Sequence, residues 1–420
     1  MELMEKQGYK QTEVGSIPED WNVYRFEDLG DTIIGLTYKP VDVNITGKLV
    51  HRSSNIQNNK LAYHDNVYVT CHVPEKLILR KNDILICVRN GSRDLIGKSA
   101  IIQGISIGET FGAFMSVFRP RIYPPLVYQY FISNIVQSQI NASLGATINQ
   151  ITNKTLNSFI TVFPTNLKEQ KAIANALSDV DELITNLDKL ITKKKAIKQG
   201  AMQQLLTPPH KGGKRLDGFS GEWVEQHLND LCWYQEGPGL RKWQFTDKGI
   251  KVINITNLVD GYLNLEKTTR HISWDEFNKM YQHFEIDEGD ILVASSGNSY
   301  CKTSVVRKHD LPLVMNTSVI RFKPNNKMDY NLLLIFLKSN LFKDQIDLLI
   351  TGGAQPNFGP AHLKKIKLIL PPSIKEQSAI AKILSDIDLE IEQLESKKTK
   401  YQSIKQGMMQ ELLTGKTRLV

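Results

Sequence analysis

The string Gly91-Ser92-Arg93-Asp94-Leu95-Ile96-Gly97-Lys98-Ser99 sets a lysine and a serine behind glycines, the residue types of a phosphate cradle. Such a cradle needs four residues between its glycines and a helix after the Lys-Ser pair. Here five intervene, and Ala100-Ile101-Ile102 reads as a strand, so no nucleotide site is expected. No G-x-G-x-x-G follows a strand, no H-E-x-x-H or G-x-S-x-G occurs, and the nine histidines lack metal-ligand spacing. An adenine methyltransferase would carry an Asn/Asp-Pro-Pro-aromatic loop; the nearest string, Gln355-Pro356-Asn357-Phe358, has the wrong order. Asp83 and Asp290 recur ahead of strands and read as turn residues rather than nuclease carboxylates. The chain offers no catalytic chemistry of its own.

What does recur is polar loop material. Arg89-Asn90-Gly91-Ser92-Arg93 follows the strand at Asp83, and Ser295-Ser296-Gly297-Asn298-Ser299, with Lys302 beyond, follows the strand at Asp290. Thr147-Ile148-Asn149-Gln150 corresponds to Ala354-Gln355-Pro356-Asn357. Arginine, asparagine and glutamine form bidentate bonds with base edges, while serine and lysine suit phosphates. Any one of these residues could serve only its own turn. Together they predict nucleic-acid contact through Arg89, Asn90, Ser92, Arg93, Asn149 and Gln150, and through Ser295, Ser296, Asn298, Ser299, Lys302, Gln355 and Asn357.

The elements that position these loops come in two copies. Lys168–Thr207 and Lys375–Thr414 match without a gap at 23 of 40 positions, an offset of 207 residues. The same offset relates Asp83-Ile84-Leu85 to Asp290-Ile291-Leu292, Gly145 to Gly352 and Pro164 to Pro371. A looser match links Ile17–Trp21 to Phe219–Trp223. The closely matched parts are helical. Ile173, Leu177, Val180, Ile184, Leu187 and Ile191 are spaced 4-3-4-3-4, as are Ile380, Leu384, Ile387, Ile391 and Leu394, the stripe of a coiled coil. Asn166-x-x-Glu169 and Ser373-x-x-Glu376 read as capping boxes. Two equal stripes in one chain have a high effective concentration for each other, so an antiparallel intramolecular pair is expected. Gly200 and Gly407 inside the helices leave room for another backbone or are plain surface glycines.

The divergent parts carry short strands at Asp83–Val88, Ser99–Gln103, Met115–Phe118, Lys251–Ile255, Asp290–Ala294, Ser304–Arg307 and Ser318–Phe322. Helical patterns follow at Leu126–Ile140 and Tyr330–Leu349. The fold class is α+β: two tandem α+β domains separated by two long helices, with pseudo-twofold internal duplication. The expected boundaries are residues 1–163, 164–210, 211–370 and 371–415. With 41% hydrophobic and 23% charged residues the chain can bury real cores, and its net charge of +8 admits a polyanionic partner. No apolar run approaches the roughly 18 residues that span a bilayer, and Met1–Lys10 lacks a signal core. No two of the four cysteines form a C-x-x-C pair, so a cytoplasmic setting is expected.

The pattern K-E-Q-x-A-I-A-x-x-L-S-D-x-D at Lys168–Asp181 and Lys375–Asp388 resembles the repeated helical region of specificity (S) subunits of type I restriction–modification systems. Lys10–Trp21, Gly289-Asp290-Ile291-Leu292, Gly353–Asn357 and Lys405–Thr414 are similar to other stretches of that family. The first copy departs at Asn82, where the second has Gly289, and at Thr147–Gln150. The resemblance implies two target recognition domains, each reading one half of a split, asymmetric site in double-stranded DNA. It implies that the helices act as a ruler and dock two methyltransferase subunits. Restriction subunits would complete the complex. No cofactor would belong to this chain: S-adenosylmethionine would sit in the methyltransferase, and ATP and magnesium in the restriction partner.

A rigid reader meets grooves on one DNA face about 10–10.5 base pairs apart. Inserting four residues near Lys189 adds about 6 Å of helix and should lengthen the unread gap by roughly one or two base pairs. Methylome sequencing that returned an unchanged gap would refute the ruler.

Overall fold

The computed structural model describes residues 8–145, 149–259, 261–350 and 356–419. It divides into two units, Met1–Lys189 with Glu395–Val420, and Leu190–Leu394.

In the first unit, four antiparallel strands lie in the order Ser99–Ile101, Ile84–Cys87, Met115–Pro120, Gly30–Ile34. Ile84-Leu85-Ile86-Cys87 is an unbroken apolar run buried on both faces, as a central strand requires. Phe118 of the sheet meets Phe26 and the helical Phe131 with ring centres 5.5 and 5.2 Å apart. A second small sheet sets Val50–His51 parallel to Thr110–Phe111. The second unit repeats this plan, with the order Thr303–Val305, Ile291–Ala294, Val319–Pro324, Cys232–Glu236 and a parallel pair of Lys251–Ile253 with Leu313–Met315. Even the register recurs: Ile84 faces Phe118, and Ile291 faces Phe322.

Two features differ from the sequence expectation. Strands also follow the helices: Ile160–Pro164 pairs with Trp21–Arg25, and Lys367–Leu370 with Val224–His227. They deliver the chain to the long helices. Each helical pattern is also two helices, Pro124–Phe131 with Asn134–Ser143, and Tyr330–Lys338 with Asn340–Leu349. The break falls at a serine whose hydroxyl donates to the carbonyl three residues back, Ser133 to Tyr130 and Ser339 to Phe336. The departure at Asn82 keeps its geometry: Asn82 has φ +69° and Gly289 φ +82°. Asparagine is among the few residues that tolerate this left-handed region.

The long helices are Leu167–Leu205 and Ile374–Leu412. In the first unit Asp181 pairs with Lys405 at 2.7 Å and Asp188 with Lys398 at 2.6 Å. Forward along one helix is backward along the other, so the pairing is antiparallel. In the second unit Lys194 meets Glu390 and Lys198 meets Asp388. Asp181–Lys405 and Asp388–Lys198 are one interaction under the 207-residue shift. Val180, Leu187, Ile191 and Ile391 are buried, while Ile184, Ile387 and Leu394 are half-buried. The leading stripe residues have a further role beyond helix pairing. Ile173 and Leu177 join the first domain core with Met409, Leu412 and Leu413, and Ile380 and Leu384 join the second. A Cβ added at Gly200 or Gly407 would meet nothing within 4 Å, so neither glycine serves a close backbone approach within the chain.

The two glutamates read as capping residues do other work. Glu169 is buried; it accepts from Trp21 Nε1 at 3.1 Å and from Arg418 at 2.5 and 2.9 Å. Arg418 also bridges to Asp20 at 2.7 Å and holds its carboxyl below the usual range. In the second unit Arg215 donates to the buried Glu376 at 2.7 Å. Losing one partner of a buried ion pair costs about 3–5 kcal/mol. Trp21 still donates to Glu169, so Arg418→Ala should destabilise the first unit by nearer ~2 kcal/mol. Urea midpoints would show this, and Arg418→Lys should recover only part of it because the planar fork is lost.

Candidate nucleic-acid interface

In both units the strand that begins after the buried aspartate ends in a loop bonded to a second loop by one isolated bridge. Arg89 bridges Gln150 in the first unit, and Ser296 bridges Asn357 in the second. Asn90 N donates to Asn149 O at 3.3 Å, and Asn149 Nδ2 to Gly91 O at 3.0 Å. Gly297 N donates to Pro356 O at 3.0 Å, and Phe358 N to Ser295 O at 2.9 Å. The residues predicted from two distant stretches of each copy therefore lie together. Arg89, Ser92, Arg93, Gln150, Asn298, Lys302 and Asn357 are exposed; Asn90, Asn149, Ser296 and Ser299 are half-buried. Ser295 departs from the expectation: it is fully buried, so its hydroxyl cannot reach a phosphate in this conformation. Gln355, Thr147 and Ile148 lie outside the described residues.

The loops are anchored from behind. Asp83 Oδ2 accepts from Arg80 N at 2.9 Å, and Arg119 grips the same carboxylate at 2.8 and 2.7 Å. Asp290 accepts from Asp287 N at 2.9 Å and pairs with Arg321 and Lys323. Both carboxylates are buried and occupied, which makes them structural. Arg93 donates to Asn141 O at 3.2 Å, tying the loop tip to a helix end. Among the described residues no group of three His, Cys, Asp or Glu side chains could hold a metal ion, and no helix is long and apolar enough to cross a membrane.

Several interface residues escaped the sequence reading. Arg89 stacks over Phe114 at 5.1 Å, and Phe114 is 57% exposed, a cation–π pair with one open face. Asn90 Nδ2 donates to Ser53 Oγ at 3.0 Å, which links the loop to Arg52–Ser54. A cavity of about 520 Å³ lies beside Arg52–Ser54, lined also by Tyr38, Asp65 and Phe114. Ser54 Oγ and Arg52 Nε are buried with no partner among the described residues. The chain enters this region through Gly35, where a Cβ would lie 2.1 Å from Gly112 O; Gly237 does the same against Asn316 O at 2.2 Å.

This duplicated architecture defines a class of protein. A specificity subunit from M. genitalium superposes with a TM-score of 0.58 at 19% identity, covering 98% of each chain. A chain from a structure of type I restriction–modification complex assembly gives 0.60 at 14% identity, covering 96% of this chain and 99% of that one. The model of the family "Type I restriction modification DNA specificity domain" matches twice, at residues 18–199 and 220–406, and the chain belongs to that family. The MjaVIII specificity subunit of Methanocaldococcus jannaschii is 27% identical over 434 residues, spanning 100% of this chain and 98% of its own. The EcoKI specificity subunit of Escherichia coli is 32% identical over 185 residues, 41% of this chain and 38% of its own.

His51, beside Arg52, is fully buried against Tyr63, and neither ring nitrogen has a partner among the described residues. Burial pushes its imidazole down to about 4. The unfolded chain takes this proton near pH 6.5, so between the two values the unfolded state binds more protons and stability drops as the pH is lowered. The first unit should lose roughly 2 kcal/mol through this group between pH 7 and 5. His51→Leu should remove that part of the slope, read as urea midpoints at the two pH values.

Proposed function

We propose that the chain is the sequence-reading subunit of a type I restriction–modification complex and is not itself catalytic. Each domain reads one half of a bipartite, asymmetric site in double-stranded DNA. The observation that carries this reading is the repeated bridge: Arg89–Gln150 and Ser296–Asn357 occupy the same place on the same scaffold. Like backbones with unlike side chains suit two different half-sites. The first loop offers two arginines, the bidentate partners of guanine. The second offers serine, asparagine and a lysine.

Catalysis belongs to partners in this reading. Two methyltransferase subunits hold S-adenosylmethionine and dock on the paired helices, while restriction subunits bring ATP and magnesium. The equivalent pairs Asp181–Lys405 and Asp388–Lys198 support two like docking surfaces. The compartment is the cytoplasm, where the DNA lies.

Methylome sequencing of cells making this chain with its methyltransferase partner tests the proposal. One bipartite motif is expected. Arg89→Ala with Arg93→Ala should relax only one half, and Asn298→Ala with Lys302→Ala only the other. Methyl transfer to DNA by the purified chain alone, or loss of both halves from either pair, would overturn it.

A further inference from the structure

Among the described residues of the second unit, the most exposed large aromatic is Trp243. Trp243 is 80% exposed on a short turn, Lys242–Gln244, with Arg241 and Lys242 beside it, both exposed. The turn itself is rigidly held. Gln244 is buried; its Oε1 accepts from Arg241 N at 2.7 Å, and its Nε2 donates to Glu276 and to Tyr281 Oη. A fixed platform therefore presents an indole to solvent.

That platform is continuous with the interface loops. Thr317 N donates to Pro238 O at 3.0 Å, Leu240 N to Asn316 Oδ1 at 3.2 Å, and Ser295 N to Ser318 O at 2.8 Å. Through residues 316–318 the segment leading to Trp243 is thus bonded to Ser295, which precedes the Ser296–Asn357 bridge. The first unit holds the matching turn, Pro40–Asp42, in the same way: Asp42 Oδ2 accepts from Lys39 N at 2.7 Å, and Val41 is 83% exposed. Scaffold and exposure agree between the two units; only the tip side chain differs.

We propose that Trp243 is a base-contacting wedge of the second domain. It stacks against or between base pairs of that half-site, with Arg241 and Lys242 on the flanking phosphates. An exposed apolar side chain next to two cations fits a duplex, whose phosphates answer the charge and whose base faces answer the ring. The proposal rests on the DNA-reading function above. Val41 at the matching position makes only a shallow apolar contact, so the wedge is confined to one half-site.

The test uses the full complex of this chain with its methyltransferase subunits, on a duplex carrying the motif found by methylome sequencing. 2-Aminopurine is placed in turn at each position of the second half-site. Wild type should raise its fluorescence at one step through unstacking; Trp243→Ala should abolish that rise and weaken site binding by about ten-fold or more. The slope of affinity against salt should stay unchanged, because the phosphate contacts remain. Trp243→Phe should recover part of the loss, and Trp274→Ala should behave as wild type. Unchanged affinity and fluorescence in Trp243→Ala would overturn the wedge while leaving the DNA-reading function standing. So would loss of the methyltransferase on gel filtration, which would make the tip a protein contact. Failure of the wild-type complex to select any site would bring down the reading itself.

Discussion

A carboxylate buried in the first turn of each long helix is the constraint on which each unit depends. Glu169 and Glu376 are essentially without solvent, and an unpaired charge there would be intolerable. Each is answered by an arginine from beyond a helix C-terminus, Arg418 in one unit and Arg215 in the other. The ion pair therefore joins the start of one helix to the segment that follows the end of the other. Trp21 is held in the same arrangement, with Arg418 5.9 Å over its ring and its own Nε1 on Glu169. Once those ends are pinned, the leading residues of the stripes, Ile173, Leu177, Ile380 and Leu384, fall into the domain cores.

The loops proposed to read DNA inherit this rigidity at one remove. Asp83 with Arg119, and Asp290 with Arg321 and Lys323, fix the start of the strand that carries each loop. Arg93 on Asn141 and Asn90 on Ser53 fix its far side. Reading groups must be held by packing and supporting bonds to discriminate between bases. The buried Asp–Arg pairs recur in both copies while the exposed loop side chains differ, so under the proposed function a domain can change its target without changing its frame.

Much of this was legible in the residues. The 207-residue repeat, the heptad stripes and the central strands follow from periodicity, which depends on local geometry alone. The bonding of the Asp83 and Asp290 loops to the later polar strings was not legible, because the offset relates one copy to the other and not two strings within a copy. The rest depends on tertiary partners. The Ser-x-x-Glu spacing at Ser373 is a sound capping signal, yet the glutamate turns to Arg215, whose place no local pattern reveals. Ser295 reads as a loop residue, but the neighbouring backbone at Ser318 and Phe358 closes over it. Trp243 and Phe114 look like ordinary core aromatics in sequence; only accessible surface separates a packed ring from a presented one.

The first unit takes residues from two stretches far apart in the sequence, Met1–Lys189 and Glu395–Val420. Tyr130 Oη donates to Leu413 O at 2.9 Å across 283 positions, and Tyr9 Oη donates to Gly415 O at 2.9 Å. During synthesis, Tyr130 emerges 283 positions before Leu413, and its domain lacks that closing segment in the meantime. Its socket for Met409, Leu412 and Leu413 must wait, apolar and unfilled, while the ribosome makes everything between. A nascent chain cut short before this segment would leave that domain open, so quality control could detect an unfinished product from its first half.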